Sequence, residues 1–399
     1  SFPGGFTVLK RISFRSRSGA FMGPVSHRRE RPESVEFAAS GDTELTETML
    51  ITGGAGFVGS NLAMALARSH PDSNVIAFDN LHRKGSELNL DRLAEAGVEF
   101  VRGDVRSPAD LAAVTPPDVL IECSAEPSVM SGADGDSTYL YETNLTGAYN
   151  CLELARRSNS FFVFLSSSRV YPLAGLRGLA LEETDTRFEL AAEQPIAGVS
   201  PRGISELMPL TGARTLYGTT KLAAELLVEE YREAFGLRAI VNRCGVIAGP
   251  WQMGKVDQGV FTHWMLSHVF DLPLSYIGFG GTGKQVRDLL HVDDLVDLVE
   301  MQLANPGHWD GTSFNVGGGR EISLSLLETT RMCREISGND LEVTAVAETR
   351  AGDVPVYISD CDAIAGHCGW KPKRPAEQIL TDIHDWIVSD RSRLEEALA

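Results

Sequence analysis

The chain has 399 residues, 43% of them hydrophobic and 23% charged, enough for one large core or two interleaved ones. Its formal net charge of −18 argues against a nucleic-acid partner, because contact with phosphates needs basic surface. No apolar run approaches the roughly 18 residues of a membrane span and no repeat has a solenoid period, so neither membrane insertion nor a repeat array is expected. Residues 1 to 29 hold Lys10, Arg11, Arg15, Arg17, Arg28 and Arg29, several serines and no acid. That composition fits an organellar transit peptide for plastid or mitochondrion, and equally a basic disordered tail; without an apolar h-region, a secretory signal is not expected. Residues 1 to 48 are therefore set apart as an extension, leaving a cytoplasmic location if they carry no address.

The run Met49-Leu-Ile-Thr-Gly-Gly-Ala-Gly-Phe-Val-Gly-Ser-Asn-Leu reads as a short strand, a glycine turn and a helix starting near Phe57. Gly53 permits the tight turn, Gly56 lets the backbone approach a pyrophosphate, and Gly59 lets the helix pack on the strand. The amides of the first turn, at Phe57 and Val58, then face the anion. A second run, Asn74-Val-Ile-Ala-Phe-Asp-Asn, ends at Asp79, twenty residues after Gly59, with Asn80 beside it. An acid at that distance suits the hydroxyls of an adenosine ribose and favours NAD over NADP, although Arg83 and Lys84 offer charge for a 2′-phosphate.

Further strand-like runs follow at residues 98 to 101, 118 to 123 and 161 to 165, separated by helical patterns. The last, Phe161-Phe-Val-Phe-Leu, is apolar throughout, as a strand buried on both faces of a parallel sheet must be. A doubly wound, Rossmann-like α/β sheet is expected, with ligands gathered beyond the carboxyl ends of its strands. There stand Asp104 and Val105, placed to meet an adenine, then Cys123-Ser-Ala-Glu-Pro, then Ser166-Ser-Ser-Arg-Val-Tyr-Pro. Serines after a strand are also ordinary caps and turns. Helices over about 139 to 157 and 218 to 235 carry broad apolar faces, with Leu140, Gly147, Cys151, Leu222, Leu226 and Leu227, that suit either the sheet or a dimer interface.

The second helix opens on Tyr217 and Lys221, whose four-residue spacing stacks a phenol beside an ammonium. A free phenol, with a pKa of about 10, is a poor base at neutral pH unless a neighbouring cation favours its phenolate form. The six cysteines show no C-x-x-C spacing and read as buried thiols of a reducing compartment, and no metal site is expected.

With Gly53-Gly-x-Gly56-x-x-Gly59, Asp79, the Ser166-Ser-Ser-Arg-Val-Tyr run and Tyr217-x-x-x-Lys221 in this order, the chain over residues 49 to 395 resembles the extended short-chain dehydrogenase/reductases, NAD-bound enzymes acting on nucleotide sugars. The resemblance implies that Tyr217 is the base, Lys221 its cation and Ser167 the assisting hydroxyl, that Asn144 is the helix asparagine, and that the protein is a homodimer. Dehydratases of the family carry Asp-Glu after the catalytic hydroxyl; Ser168 and Arg169 stand here, which favours oxidation and return of the hydride over loss of water.

Gly281-Thr-Gly-Lys-Gln-Val-Arg-Asp and Thr349-Arg-Ala-Gly-Asp-Val-Pro resemble the family's diphosphate clamp. Arg287 and Arg350 would hold the diphosphate through paired hydrogen bonds and Asp353 the nucleotide ribose, with Lys284 and Gln285 as weaker contributors and Ser168 and Arg169 also on the substrate. The division implied is an NAD-binding domain over 49 to 245 plus 286 to 312, and a substrate domain over 246 to 285 plus 313 to 399.

Tyr171 and Tyr217 lie 46 residues apart, a long insert expected to shape the sugar pocket. Its Glu183, Thr184, Thr186, Arg187 and Phe188, with Asp79-Asn-Leu-His-Arg-Lys-Gly-Ser and Lys255-Val-Asp-Gln-Gly-Val, are most similar to the CDP-paratose 2-epimerases. Where those enzymes would show His-x-Ala-x-Gln, this chain has Glu122-Cys-Ser-Ala-Glu126, and a carboxylate at Glu126 would repel a diphosphate sugar or need a raised pKa, which leaves room for a substrate other than the family's namesake. The expected activity is CDP-paratose 2-epimerisation. The alternatives are a UDP-sugar 4-epimerase or related NAD-dependent modification, and, in another class, an NAD-retaining structural subunit of an organellar assembly.

Overall fold

A computed structural model describes residues 47–132, 135–254, 258–309, 311 and 313–398, so the basic extension lies almost wholly outside the described residues. Seven parallel strands form the central sheet: β1 (Thr48–Thr52), β2 (Asn74–Asp79), β3 (Glu99–Arg102), β4 (Val119–Glu122), β5 (Phe161–Ser167), β6 (Ala239–Cys244) and β7 (Ser313–Val316). Their order, β7-β6-β5-β4-β1-β2-β3, reverses direction between β1 and β4, and the crevice at such a reversal is where a doubly wound sheet takes its ligand.

The period of two along the strands separates the core into two layers. Met49 and Ile51 of β1, with Phe161, Val163 and Leu165 of β5, face one layer under Leu62 and Leu66 of helix α1 (Phe57–Ser69). Leu50, Phe162 and Phe164 face the other, under Cys151, Leu152 and Ala155 of α2 (Gly147–Ser158) and Ala224 and Val228 of α3 (Leu216–Phe235). Each large side chain fully buried this way stabilises the fold by about 1.5–3 kcal/mol, which explains why β5 is apolar almost to its end.

The helix expected over 139 to 157 is interrupted. A π turn, Glu142–Thr146, separates Thr138–Tyr141 from α2 and carries Asn144 inward. Gly147 follows because a Cβ there would stand 2.7 Å from Val105 Cγ2. By contrast α3 is continuous: the Thr215 side chain accepts from the Gly218 amide at its start, and Gly236, with φ of 67°, ends it.

A smaller sheet joins Val246–Ala248, Val286–His291 and Ser323–Ser325, with Val356–Tyr357 pairing alongside Val286–His291. The expected division at 286 and 312 therefore needs moving at the level of strands. Residues 286–291 belong to the smaller sheet, whereas 313–316 form β7 of the central one, where Phe314 and Val316 complete a core layer. A third cluster, built on Phe261, Trp264, Ile379, Ile383 and Trp386, packs the C-terminal helices behind the smaller sheet.

Candidate active site

Two adjoining clefts open at the carboxyl ends of β1, β2, β4 and β5. The first is lined by Gly53, Gly56, Phe57, Val58, Gly59, Asp79, Asn80 and Val105. A Cβ at Gly59 would lie 2.2 Å from the Gly53 carbonyl oxygen, and one at Gly53 2.9 Å from the Cys123 carbonyl, so α1 and β4 close on the loop only because these are glycines. Gly56, the N-cap of α1, offers no side-chain cap, which leaves the first amides of the helix directed at the cleft. Asp79 accepts from the amides of Ala55 at 3.2 Å and Leu81 at 2.8 Å; burial pushes its carboxyl up and these amides pull it back. Arg83 donates to the Met253 carbonyl at 3.2 Å.

Asp104 is placed differently from expectation. It is not among the lining residues; it accepts from Arg106 at 2.7 Å and from Asn80 at 3.0 Å, and the Arg106 guanidinium holds its carboxyl down at about 2. It thus supports Asn80 from behind. Asn144, 1% exposed, likewise acts as a brace: its side chain accepts from the Glu126 amide at 2.7 Å and donates to the Glu126 carbonyl at 3.1 Å and to Thr220 Oγ1 at 3.3 Å, tying the loop after β4 to α3.

The second cleft is a cavity of about 420 Å³ lined by Ser167, Ser168, Arg169, Tyr217, Lys221, Gln285, Arg287, Arg350 and Asp353. Phe57, Val58, Cys123, Ala125, Pro127, Gln252 and Gln258 line both clefts, so the two share a wall. What brings Tyr217 to the serine loop is Gly218, where a Cβ would stand 2.1 Å from the Arg169 carbonyl oxygen. Ser167 ends β5 and its hydroxyl accepts from the Arg169 amide at 3.1 Å. Lys221, one helical turn below Tyr217, is 2% exposed; its Nζ donates to the Leu165 carbonyl at 3.0 Å and stands 3.5 Å from Glu122 Oε2. Burial opposes the ammonium, but the carboxylate of Glu122 and the phenol of Tyr217 outweigh it and hold Lys221 above its ordinary range.

Arg287 donates to the carbonyls of Val286 and Val354 at 2.7 and 2.8 Å, and burial pushes its guanidinium down to about 10. Arg169 donates to the Gly352 carbonyl at 3.2 Å and is pushed down by burial, an effect that Asp353 opposes. Three guanidinium groups thus line one cavity in a chain of net charge −18, a local basic wall suited to a diphosphate.

The insert differs most from expectation. No described residue between Val170 and Leu216 lines the cavity. Arg187 binds Glu189 at 2.9 Å and Ser323 Oγ at 2.7 Å, Thr186 donates to Glu328 at 2.8 Å, and Lys284 pairs with Glu183 at 2.9 Å, away from the cavity. Instead the insert props the opposite wall: Arg177 donates to the Asp353 carbonyl at 3.1 Å and also to that of Ala351. Glu126 likewise sits with the first cleft, its Oε1 accepting from the Ser128 amide at 3.1 Å, and is not part of the cavity lining. The acid that does reach the chemistry-bearing residues is Glu122, for which the signal was an acid closing an otherwise apolar buried strand. Lys255, Val256 and Asp257 of the third similar segment lie outside the described residues.

Comparison with known proteins bears on family and fold. The model of a family described as NAD dependent epimerase/dehydratase matches residues 49–317. The chain is 32% identical over 351 residues to a CDP-paratose 2-epimerase of Salmonella typhi, covering 86% of this chain and 99% of that protein. It is 29% identical to a dTDP-glucose 4,6-dehydratase of Mycolicibacterium smegmatis, covering 86% and 94%. Among solved structures, a UDP-glucose 4-epimerase of Thermus thermophilus in complex with NAD superposes with a TM-score of 0.67 at 25% identity, covering 86% of this chain and 99% of that one.

Proposed function

The chain belongs to the NAD dependent epimerase/dehydratase family, and from that premise we propose that this NAD-dependent enzyme of nucleotide sugars interconverts CDP-paratose and CDP-tyvelose by transient oxidation at C2. The observation that carries an epimerase over a dehydratase is the pair that follows Ser167. Ser168 and Arg169 line the cavity where a dehydratase needs carboxylic acids, and among the described lining residues Asp353 is the single carboxylate, set beside Arg169 and Arg287. With no acid next to Ser167 to protonate a departing hydroxyl, the oxidised sugar keeps its oxygens and is reduced again.

Bound NAD supplies the hydride acceptor and donor for this chemistry. Tyr217 takes the proton of the C2 hydroxyl and returns it, a contribution worth about 10²–10⁴-fold, while Ser167 hydrogen-bonds the same oxygen and Lys221 favours the phenolate. Arg169, Arg287 and Arg350 hold the diphosphate, and Asp353 takes the nucleotide ribose. Gly53, Gly56, Phe57, Val58 and Gly59 cradle the cofactor's pyrophosphate and Asp79 its ribose, with Asn80, Asp104, Val105 and Asn144 shaping that cleft. The 32% identity with a CDP-paratose 2-epimerase supports C2 and cytidine, whereas the likeness to a UDP-glucose 4-epimerase supports the alternative at C4. The deciding experiment follows CDP-paratose deuterated at C2. Inversion with retained label is expected; loss of label to solvent or no turnover rejects the C2 reading, and a panel of UDP-sugars then tests C4.

A homodimer is the proposed assembly, supported by Tyr141, Tyr149 and Leu226 left exposed on and beside α2 and on α3; a monomeric mass by light scattering at micromolar concentration would reject it. Delivery to an organelle rests on residues 1 to 29 alone, and a fluorescent fusion of residues 1 to 48 that stays diffuse in plant or animal cells would reject it.

A further inference from the structure

Glu122 closes β4, Val-Leu-Ile-Glu, with 1% of its surface exposed, and touches neither cleft. Across the sheet its register partners are Thr52 of β1 and Phe164 of β5, so nothing in strand pairing asks for an acid there. Its Oε1 accepts from Ser124 Oγ, while Oε2 has no hydrogen-bond donor and stands 3.5 Å from Lys221 Nζ. Lys221 is fixed from two further sides, by its bond to the Leu165 carbonyl at 3.0 Å and by the Phe164 ring, whose centroid lies 4.7 Å from the ammonium. Buried pairs of this kind do not stabilise a fold more than apolar side chains of the same volume do. The pair therefore calls for a reason in the charge it brings to the lysine.

We propose that Glu122 is a positioning residue that sets the pH range in which Tyr217 exchanges its proton: it pins Lys221 and offsets the ammonium's field at the phenol. This rests on the reading of Tyr217 as the acid–base group. An isolated ammonium draws a neighbouring phenol toward phenolate, and a carboxylate paired with that ammonium works in the opposite sense. The other groups facing the pair are Cys123 after β4, Cys151 on α2 and Cys244 at the end of β6. Burial pushes all three thiols up, Cys244 to about 12, so they remain neutral. The buried Arg169 guanidinium, in the turn after β5, also acts on Tyr217, and it is the same in wild type and in every Glu122 variant. Thr52 brings a hydroxyl and no charge.

The test is a phenolate absorbance titration of the full-length protein, which needs no substrate. The transition present in wild type and missing from Tyr217→Phe belongs to Tyr217. Glu122→Gln and Glu122→Met both remove the charge at nearly constant volume, so whichever folds by circular dichroism serves; the Tyr217 transition is expected to move down by about one pH unit. Glu122→Asp keeps the charge and is expected to hold the transition close to that of wild type. A Tyr217 transition that stays at the same pH in the folded charge-removing variant overturns the proposal, even if that variant melts earlier, because lowered stability alone is what a purely structural pair would show. Absence of any Tyr217-dependent transition below alkaline unfolding overturns it as well. Failure of the acid–base reading itself is seen separately, as undiminished turnover by Tyr217→Phe.

Discussion

Gly218→Ala tests the geometry that joins α3 to the serine loop. A Cβ at this position would lie 2.1 Å from the Arg169 carbonyl oxygen, against 3.4 Å for an ordinary contact, so about 1.3 Å must be found between two backbones. Neither side yields easily. Arg169 is held through Ser167 Oγ and the Gly352 carbonyl, and the start of α3 through the Thr215 cap. Such overpacking costs about 1–3 kcal/mol of stability. More telling is the displacement: a shift of about 1 Å between Tyr217 and Ser167 is expected to lower kcat by about 100-fold. NAD affinity, read by equilibrium fluorescence quenching, should change little, because α1 and its glycine loop are untouched. Gly236→Ala is the control. Gly236 also sits at a helix end, with φ of 67° and nothing within 4 Å of where an alanine Cβ would stand, so it should cost about 1 kcal/mol in strain and leave kcat alone. A folded Gly218→Ala protein with kcat within a factor of three of wild type would show that the close approach at Arg169 does not set the spacing of Tyr217 and Ser167.

Tyr217→Phe is expected to lose turnover by about 10²–10⁴-fold while keeping NAD and nucleotide-sugar binding by calorimetry; retained turnover rejects its role. Arg287→Lys replaces a planar fork by a point charge, and the affinity for CDP-sugar should fall about tenfold or more with NAD binding unchanged; equal loss for nucleoside and for nucleotide-diphosphate sugar would show that the diphosphate is not its partner. For Asp104, the folded carboxyl lies at about 2, below its ordinary 3.8. A depressed carboxyl contributes stability above the unfolded value that is lost as pH falls through the folded one, so Asp104→Asn should be less stable than wild type at pH 7 in urea, with the difference shrinking between about pH 4 and pH 2. A constant difference across that window would count against the Arg106 pair as its source.

Much of the site was legible because its signals are local. The glycine spacing of residues 53 to 59, an acid ending the second strand at Asp79, and a phenol and ammonium four residues apart each follow from the geometry of one turn, strand or helix. The apolar Phe161-Phe-Val-Phe-Leu run likewise carried the doubly wound sheet, since a strand covered by helices on both faces has no room for polar alternation. Boundaries moved where a distant neighbour decided: the π turn at Glu142–Thr146 interrupts a helix that its apolar periodicity would have continued.

Residues from separate elements were placed by tertiary structure alone. By sequence Glu126 was expected near the diphosphate sugar and the 171 to 217 insert around the sugar pocket, yet Glu126 turns to the first cleft and the insert braces the loop of Arg350 and Asp353 from outside. Glu122 and Lys221 are far apart in the chain and share no motif; they meet because parallel pairing sets the end of β4 beside β5 while α3 packs on β5 and β6. Spacings that a single turn, strand or helix enforces were enough to single out the candidate residues. Which charges stand next to those residues was decided by strand order and helix packing, because electrostatic neighbours in a buried site are set by distance through space and not along the chain.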